Sequence, residues 1–501
     1  MSKVQRGNIS EYLPADCMSG STLWIGGKWE AASDGRTFDT VDPATGNPII
    51  SISRAGAGDV QRAVDAAKIG AKVWAELDGM QRAGIMRKAA ELIREHRLAL
   101  GALDSIDSGK AISETSGRNT DGAAGMFDFF SGITDKIRGS VIDMGPKKTG
   151  LVEREPYGVV GAISPWNFPM TNATTKIAPI LACGNALILK PAEQTPLSAL
   201  LLAHLLDLAG LPKGVFNVIT GLGAEAGAAL VEHPDVPKIS FTGSTATGRR
   251  IAAAAGERLK SVTLELGGKS PFIVFDDADL DTAASGAVTT VFMNQGQTCT
   301  SCAKVLVARP LLAAFIEKCK ERVAKISIGD PLDPSTDLGP IVSQQQLDRV
   351  NRLLSEGVAA GATKLALSAK YSPMVGGCFI APLIVTDLDP ASSLAREEIF
   401  GPVMSVSPFD NDEEAYAAAN DTEYGLAASV WTSSLARAET ARRAINTGIV
   451  WINCVHTLSL NTPVPGRKSS GLGSEYGWEA VDNYMRLKTT VTMFGDYKGL
   501  F

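Results

Sequence analysis

Five short apolar runs between residues 156 and 266, GVVGAIS, ALILK, GVFNVIT, KISFTG and VTLEL, alternate with stretches long enough for a crossover helix. Such runs predict parallel strands covered on both faces, because parallel neighbours can only be joined by a crossover that packs back on the sheet. The clearest crossover is LSALLLAHLLDL, Leu197 to Leu208, closed by Ala209, Gly210 and Pro212. The expected fold class is α/β, with a parallel sheet of about five strands and a ligand crevice at their carboxyl ends. A second alternating segment begins at PFIVF (271 to 275) and continues through AKVLVA (303 to 308), a helix at 309 to 326 and strands near 402 to 408 and 448 to 453. It predicts a second α/β domain. Upstream, Val60, Ala63, Val64, Ala67, Ala71 and Trp74 share one helical stripe, and 80 to 106 continues in helix-forming residues, so the first 130 residues are expected to hold a helical pair. LVEREP (151 to 156) and LKTTVTMF (487 to 494) are extended pieces outside both sheets, expected to pair with each other or with another subunit.

Composition removes several classes of function. The 501 residues carry 48 Lys and Arg against 54 Asp and Glu, a net charge of −6, so no basic surface for nucleic acid or anionic lipid is expected. No apolar run reaches the length of about 18 residues needed to span a membrane, and MSKVQRGNISEYLPADC lacks the apolar stretch of a secretory signal. The N-terminus reads as a polar arm on a soluble, cytoplasmic protein. Seven Cys are too sparse for a disulfide framework, and four His are scattered singly, so no metal site is expected. Glycine is in excess, 50 of 501, which calls for backbone that turns sharply or approaches closely.

Several of these glycines lie where strands turn into helices. Gly221, Gly223 and Gly227 follow GVFNVIT and open AEAGAALVE; the spacing fits either a phosphate-cradling turn or close helix packing. FTGSTATG places Gly243 and Ser244 at a second helix start, where free N–H groups can hold a phosphate. In KPAEQTP, Lys190 and Glu193 stand at a strand end, either as ribose ligands or as an ordinary surface pair. A carboxylate there would repel a 2′-phosphate and favour NAD over NADP. NQGQTCTSC puts Cys299 in a polar, glycine-containing stretch, as a reactive thiol requires, whereas most free Cys are inert fillers. TLELGGKS ends a strand with Glu265 before Gly267 and Gly268, a carboxylate suited to activating water or simply to capping. SPWNFPM carries Asn167 in a stiffened loop, where its amide can donate to an oxyanion.

In this order and spacing, SPWNFP, LACGNALILKPAEQTP, FTGSTATG, LELGGKS, NQGQTC, EEIFGPV and KSSGLGSEYG resemble the NAD(P)-dependent aldehyde dehydrogenase superfamily from about residue 24 to 495. The resemblance implies a Rossmann-like NAD-binding domain of residues 1–135 and 157–266, a catalytic domain of 267–475 and a small β oligomerisation element of 136–156 and 476–501. It implies Cys299 as nucleophile, Glu265 as general base, Asn167 as oxyanion donor and Lys176 in a structural or proton-relay role. Cofactor contacts are implied at Ile163, Ser164, Pro165, Trp166, Lys190, Glu193, Gly223, Gly227, Phe241, Gly243, Ser244, Leu266, Glu398 and Phe400. The implied activity is oxidation of an aldehyde to the carboxylic acid with NAD, NADP being less favoured. A homodimer or homotetramer is implied as well.

The chain departs from the superfamily around the substrate. Thr175, Leu458 and Val464 stand where many members carry aromatic residues, and with Phe168, Asn172 and Thr298 they are expected to line a wider, partly polar pocket for a bulky, aromatic, terpenoid or hydroxylated aldehyde. Lys304 replaces a frequent Arg, which disfavours acidic semialdehydes unless it is structural. Pro465, in PVPG, removes a donor where Gly is usual. Cys302 is a buried filler or the partner in a reversible disulfide. The rival functions are a CoA-acylating aldehyde dehydrogenase, against which Glu265 argues, and a catalytically silent dinucleotide-binding or structural protein on the same scaffold.

Overall fold

The five apolar runs form adjacent parallel strands in the order Phe216–Val218, Ala186–Lys190, Val159–Ile163, Lys238–Thr242 and Ser261–Glu265 in the computed structural model, which describes residues 6, 9–18 and 20–499. Val159–Ile163 and Ala186–Lys190 are buried at every position, as strands with helices on both faces must be. The sheet is wider than the expected five strands. Leu23–Ile25 joins it antiparallel beside Phe216–Val218 with Lys28–Glu30 beyond, and Gly471–Leu472 closes the other edge against Ser261–Glu265. Edge strands of two or three residues carry too little periodicity to be read from sequence.

The helix Leu197–Leu208 has the predicted bounds. The N-terminal helical region exceeds a pair: Ala57–Glu76, Gly79–Glu95, Arg97–Ser108 and Thr120–Ser131. Val60, Ala63, Val64, Ala67 and Trp74 are buried along the predicted stripe, and the Trp74 indole donates to the Leu181 carbonyl at 2.9 Å. The expected polar arm is a correction in part: Ile9, Leu13 and Cys17 are buried in the core of this unit.

The second sheet runs Thr363–Ala366, Leu383–Thr386, Val403–Phe409, Lys304–Ala308, Pro271–Val274, Ala427–Trp431 and Ile449–Ile452, parallel except for the first strand. Three of these strands are short or alanine-rich and were not expected. The extended pieces do pair with each other: Met485–Met493 runs antiparallel to Lys148–Pro156, with Ser140–Asp143 as a third strand. Among the described residues no helix is long and apolar enough to cross a membrane, and no group of three or more His, Cys, Asp and Glu is placed to hold a metal ion.

Candidate active site

The first sheet reverses its winding between Val159–Ile163 and Lys238–Thr242. Loops leaving two parallel strands in opposite directions open a crevice at such a point. Here they are Ser164–Trp166 and Gly243–Ser244, and they form part of two adjoining cavities of about 530 and 560 Å³.

The cavity of about 530 Å³ brings together Ile163, Ser164, Lys190, Glu193, Gly223, Gly227 and Phe241. Lys190 is 2% exposed and donates to Glu193 Oε2 at 2.9 Å, while Glu193 is 37% exposed at the cavity rim. Burial pulls the Lys190 pKa down, with Glu193 opposing it. A Cβ placed on Gly223 or Gly227 would meet nothing within 4 Å, so these glycines face open cavity, against the packing alternative for Gly227. Gly221 is the tight one: its φ is +153° and a Cβ would lie 3.1 Å from the Ala55 backbone. Ser244 caps the helix Thr245–Gly256 by accepting from Thr247 N, and this twelve-residue helix points its positive end into the crevice. Gly243 admits the Phe241 ring, which would sit 2.5 Å from a Cβ there.

The cavity of about 560 Å³ holds the thiol end, lined by Asn167, Glu265, Leu266, Cys299, Glu398 and Phe400 among others. Asn294, Gln295 and Gly296 have φ of +52°, +57° and +73°, a left-handed run that turns the chain sharply before Cys299. Gly296 is obligatory, since a Cβ would lie 2.1 Å from the Gly401 carbonyl, and Gly268 lets the Cys299 carbonyl approach to 3.0 Å of its own Cβ position. Asn167 is held on three sides. Its Nδ2 donates to the Gln297 carbonyl at 3.0 Å, its Oδ1 accepts from Asn172 Nδ2 at 3.1 Å, and its carbonyl accepts from Asn294 at 2.8 Å. The Asn172 bond fixes which way the Asn167 amide faces.

Burial, reinforced by the charges of Glu398, Glu265 and Glu475, pushes the Cys299 thiol up to about 12. The thiol therefore rests protonated and needs a base. Glu265 is buried with Oε1 free of any hydrogen bond among the described residues, and burial with the Glu475 charge holds its pKa well above the usual carboxylate range, Lys176 opposing. A carboxylate held upward in this way is a stronger base than an ordinary one. Lys176 is fully buried and pairs with Glu475 Oε1 at 2.5 Å while donating to Thr242 Oγ1 at 2.7 Å.

Glu398 accepts from Gly268 N at 2.9 Å, and its burial pushes it up to about 7. A carboxyl whose folded pKa lies above its unfolded value contributes stability that is present below about pH 4.5 and lost as pH rises through 7. Glu398→Gln, which cannot ionise, should melt higher than the parent by on the order of a few degrees at pH 8.5 and lose that advantage at pH 5.5. Thermal melts of the cofactor-free protein at both pH values check this; an advantage that shrinks as pH rises contradicts it.

Four expected pocket residues are not in the lining of either cavity. Thr175 is buried, donating to the Thr171 carbonyl at 2.8 Å; Thr298 is buried beside the thiol; Val464 pairs in a two-residue strand with Glu475; Leu458 lies on the surface loop at 37% exposed. The Tyr476 hydroxyl comes within 3.5 Å of Thr175 Oγ1. Lys304 is structural, donating to the Ala418 and Asp421 carbonyls, and Cys302 is a fully buried core residue. Sequence reasoning missed Glu475, Asn294, Gln297, Tyr476 and Arg349, which donates to the Glu398 carbonyl at 2.8 Å. Only Glu475 had a usable signal, since a buried Lys such as Lys176 demands a carboxylate somewhere.

The fold and the cleft thus define an α/β protein of two large sheets with a half-buried thiol at one end of a nucleotide-sized crevice. Residues 29–490 match the model of the aldehyde dehydrogenase family. The chain belongs to that family, and its fold is the aldehyde dehydrogenase fold. It is 36% identical to the aldehyde dehydrogenase of Bacillus cereus solved with NAD+, covering 99% of this chain and 100% of that one with a TM-score of 0.94. It is 38% identical to P. syringae AldA, an indole-3-acetaldehyde dehydrogenase solved with NAD+ and IAA, over 97% of this chain and 99% of that one with a TM-score of 0.93. An NADP-dependent enzyme of E. coli is 36% identical over 97% of this chain and 99% of that one, with a TM-score of 0.92.

Proposed function

We propose that this chain oxidises a bulky, aromatic, terpenoid or hydroxylated aldehyde to its carboxylic acid with NAD, through a thiohemiacetal and then a thioester on Cys299. One observation carries the reading: Cys299, Glu265 and Asn167 share one cavity that opens into the crevice bearing Lys190, Glu193, Gly223 and Gly227. The open glycines, the helix start at Ser244 and the buried Lys190 beside Glu193 fit a dinucleotide, with phosphates at the N–H groups and a ribose at the Lys190 and Glu193 edge. Glu193 favours NAD, NADP being the weaker alternative. Bound there, NAD supplies the hydride acceptor.

The chain's own residues do the rest. Cys299 Sγ adds to the aldehyde carbon as the thiol proton passes to solvent, which leaves Glu265 unprotonated for the later step. The oxyanion accepts from Asn167 Nδ2 and the Cys299 N–H; one such donor contributes about 2.7 to 4 kcal/mol to lowering the barrier. Glu265 then accepts a proton from the water that cleaves the thioester. Lys176, paired with Glu475 beside Glu265, is placed to relay that proton or to fix the geometry. Glu265 also argues against CoA as the acyl acceptor, since activation of water is what its free oxygen offers.

We also place the first sheet with its helices as the NAD-binding unit and the second as the catalytic unit. The three-stranded sheet serves as the contact of a homodimer or homotetramer. Val141, Leu487 and Val491 on it are 73%, 67% and 56% exposed, unusual for apolar residues of a single chain.

Initial rates of NADH formation over aliphatic, aromatic, terpenoid and amino aldehydes, repeated with NADP, test the reading. The highest kcat/KM should fall on a bulky or hydroxylated member with NAD. Acetaldehyde as the best substrate overturns the substrate class, and no reduced cofactor with any member overturns the activity.

A further inference from the structure

Lys110 is a buried cation that the dehydrogenase reading leaves without a role. The helix Arg97–Ser108 ends on Gly109, whose φ of +77° is the left-handed cap that glycine favours and whose Cβ position would lie 2.7 Å from the Pro340 ring. The chain reverses there and carries Lys110 inward, where its side chain is 1% exposed. The ammonium stands 3.4 Å from the centroid of the Phe168 ring and 3.2 Å from Glu114 Oε1. No acceptor is aligned with Lys110 Nζ for a hydrogen bond among the described residues, so the ring face and the Glu114 charge are what hold it. Burial pulls the Lys110 pKa down, and the Glu114 and Asp104 charges oppose that.

Phe168 connects this cation to the reacting end of the cleft. It follows Asn167, stands immediately before the helix Pro169–Ala182, and lines the cavity of about 560 Å³ together with Asn167, Glu265 and Cys299. The ammonium covers one face of the ring, so the surface that the ring offers to the cavity is its other face or its edge. A cation on one face draws ring electron density toward itself and leaves the remote surface less negative than an ordinary phenyl face. A Met or Leu would fill the same space without the cost of burying a charge, so packing alone does not call for lysine here.

We propose that Lys110 is a positioning residue that acts through Phe168: its ammonium holds the ring at the cavity wall and polarises it, so that the wall selects an electron-rich acyl group. An aromatic aldehyde with electron-donating substituents fits best, because its ring faces are the more negative partner for a wall made less negative. The inference rests on the dehydrogenase reading and narrows its substrate class.

The test uses the full-length chain and NAD, with 4-methoxybenzaldehyde and 4-(trifluoromethyl)benzaldehyde as probes of similar length and opposite electron demand. The ratio of their kcat/KM values, methoxy over trifluoromethyl, is taken in the parent and in Lys110→Met, so that the effect of the substituent on the chemical steps cancels between the two enzymes. The ratio should fall at least about threefold in Lys110→Met, the scale of one cation–π contact. A smaller fall overturns the inference, including the case in which both substrates slow alike, which is what a merely structural lysine would give. If Lys110→Met does not fold, Phe168→Leu takes its place: loss of the polarised ring should lower the ratio by the same factor of about three, and a smaller change overturns the inference. A parent that forms no NADH with any aldehyde overturns the dehydrogenase reading instead, while activity with an unmoved ratio overturns only the role of Lys110.

Discussion

Cys299→Ala is expected to lower aldehyde oxidation by at least about 10⁴-fold, the scale of losing a nucleophile around which a whole site is organised. NAD binding should persist, because Lys190, Glu193, Gly223 and Gly227 lie in the adjoining cavity. Isothermal titration of NAD into the variant, beside an NADH assay, separates the two effects; an active variant would remove Cys299 from the mechanism. The same residue has a kinetic signature in the parent protein. With its thiol pushed up to about 12, almost none of it is thiolate at pH 7.5. Alkylation by iodoacetamide in the cofactor-free protein should be slow and should rise about tenfold per pH unit to pH 10, with no plateau. A plateau near neutral pH would show a thiolate stabilised in a way that the burial and three surrounding carboxylates do not support.

Glu265→Gln is the second large effect. The amide keeps the shape of the side chain but cannot accept a proton, so water at the thioester loses its base, at a cost of about 10²- to 10⁴-fold in turnover. The acyl-enzyme should then accumulate and appear in the intact mass as the parent mass plus the acyl group. Slow turnover with no adduct would mean that Glu265 serves the attack of the thiol rather than hydrolysis. Because the carboxyl is held well above its ordinary range by burial and by Glu475, turnover limited by this base should fall on the acid side at a higher pH than an ordinary carboxylate would give.

Much of the architecture was legible because it is written in local pattern. The five runs between 156 and 266 are strands at nearly the expected positions, and Leu197–Leu208 is a helix at the expected bounds. Both follow from continuous burial, which leaves no choice but apolar residues. The thin edge strands, Leu383–Thr386 and Ala427–Trp431, were not legible, since two to five residues with no alternation hold no period to count. In the candidate site, residues on strand ends and glycine turns could be named from the chain, and all the cofactor contacts so named line the two cavities. Residues whose role is to hold others could not be named. Asn294 beneath the Asn167 carbonyl and Glu475 against Lys176 come from 127 and 299 residues away.

The sequence by itself determined which groups are available and on what kind of element each sits: a thiol in a polar glycine turn, a carboxylate ending a strand, an amide in a stiff loop. Tertiary structure decided their state and their neighbours. Cys299 is a protonated thiol rather than a ready thiolate chiefly because the folded chain buries its sulfur, with carboxyls from distant segments adding to that effect. The hydroxyl of Thr175 meets that of a tyrosine 301 residues further along the chain. Charge and volume at a site are sums over everything packed around it, and that sum exists only once the chain has folded.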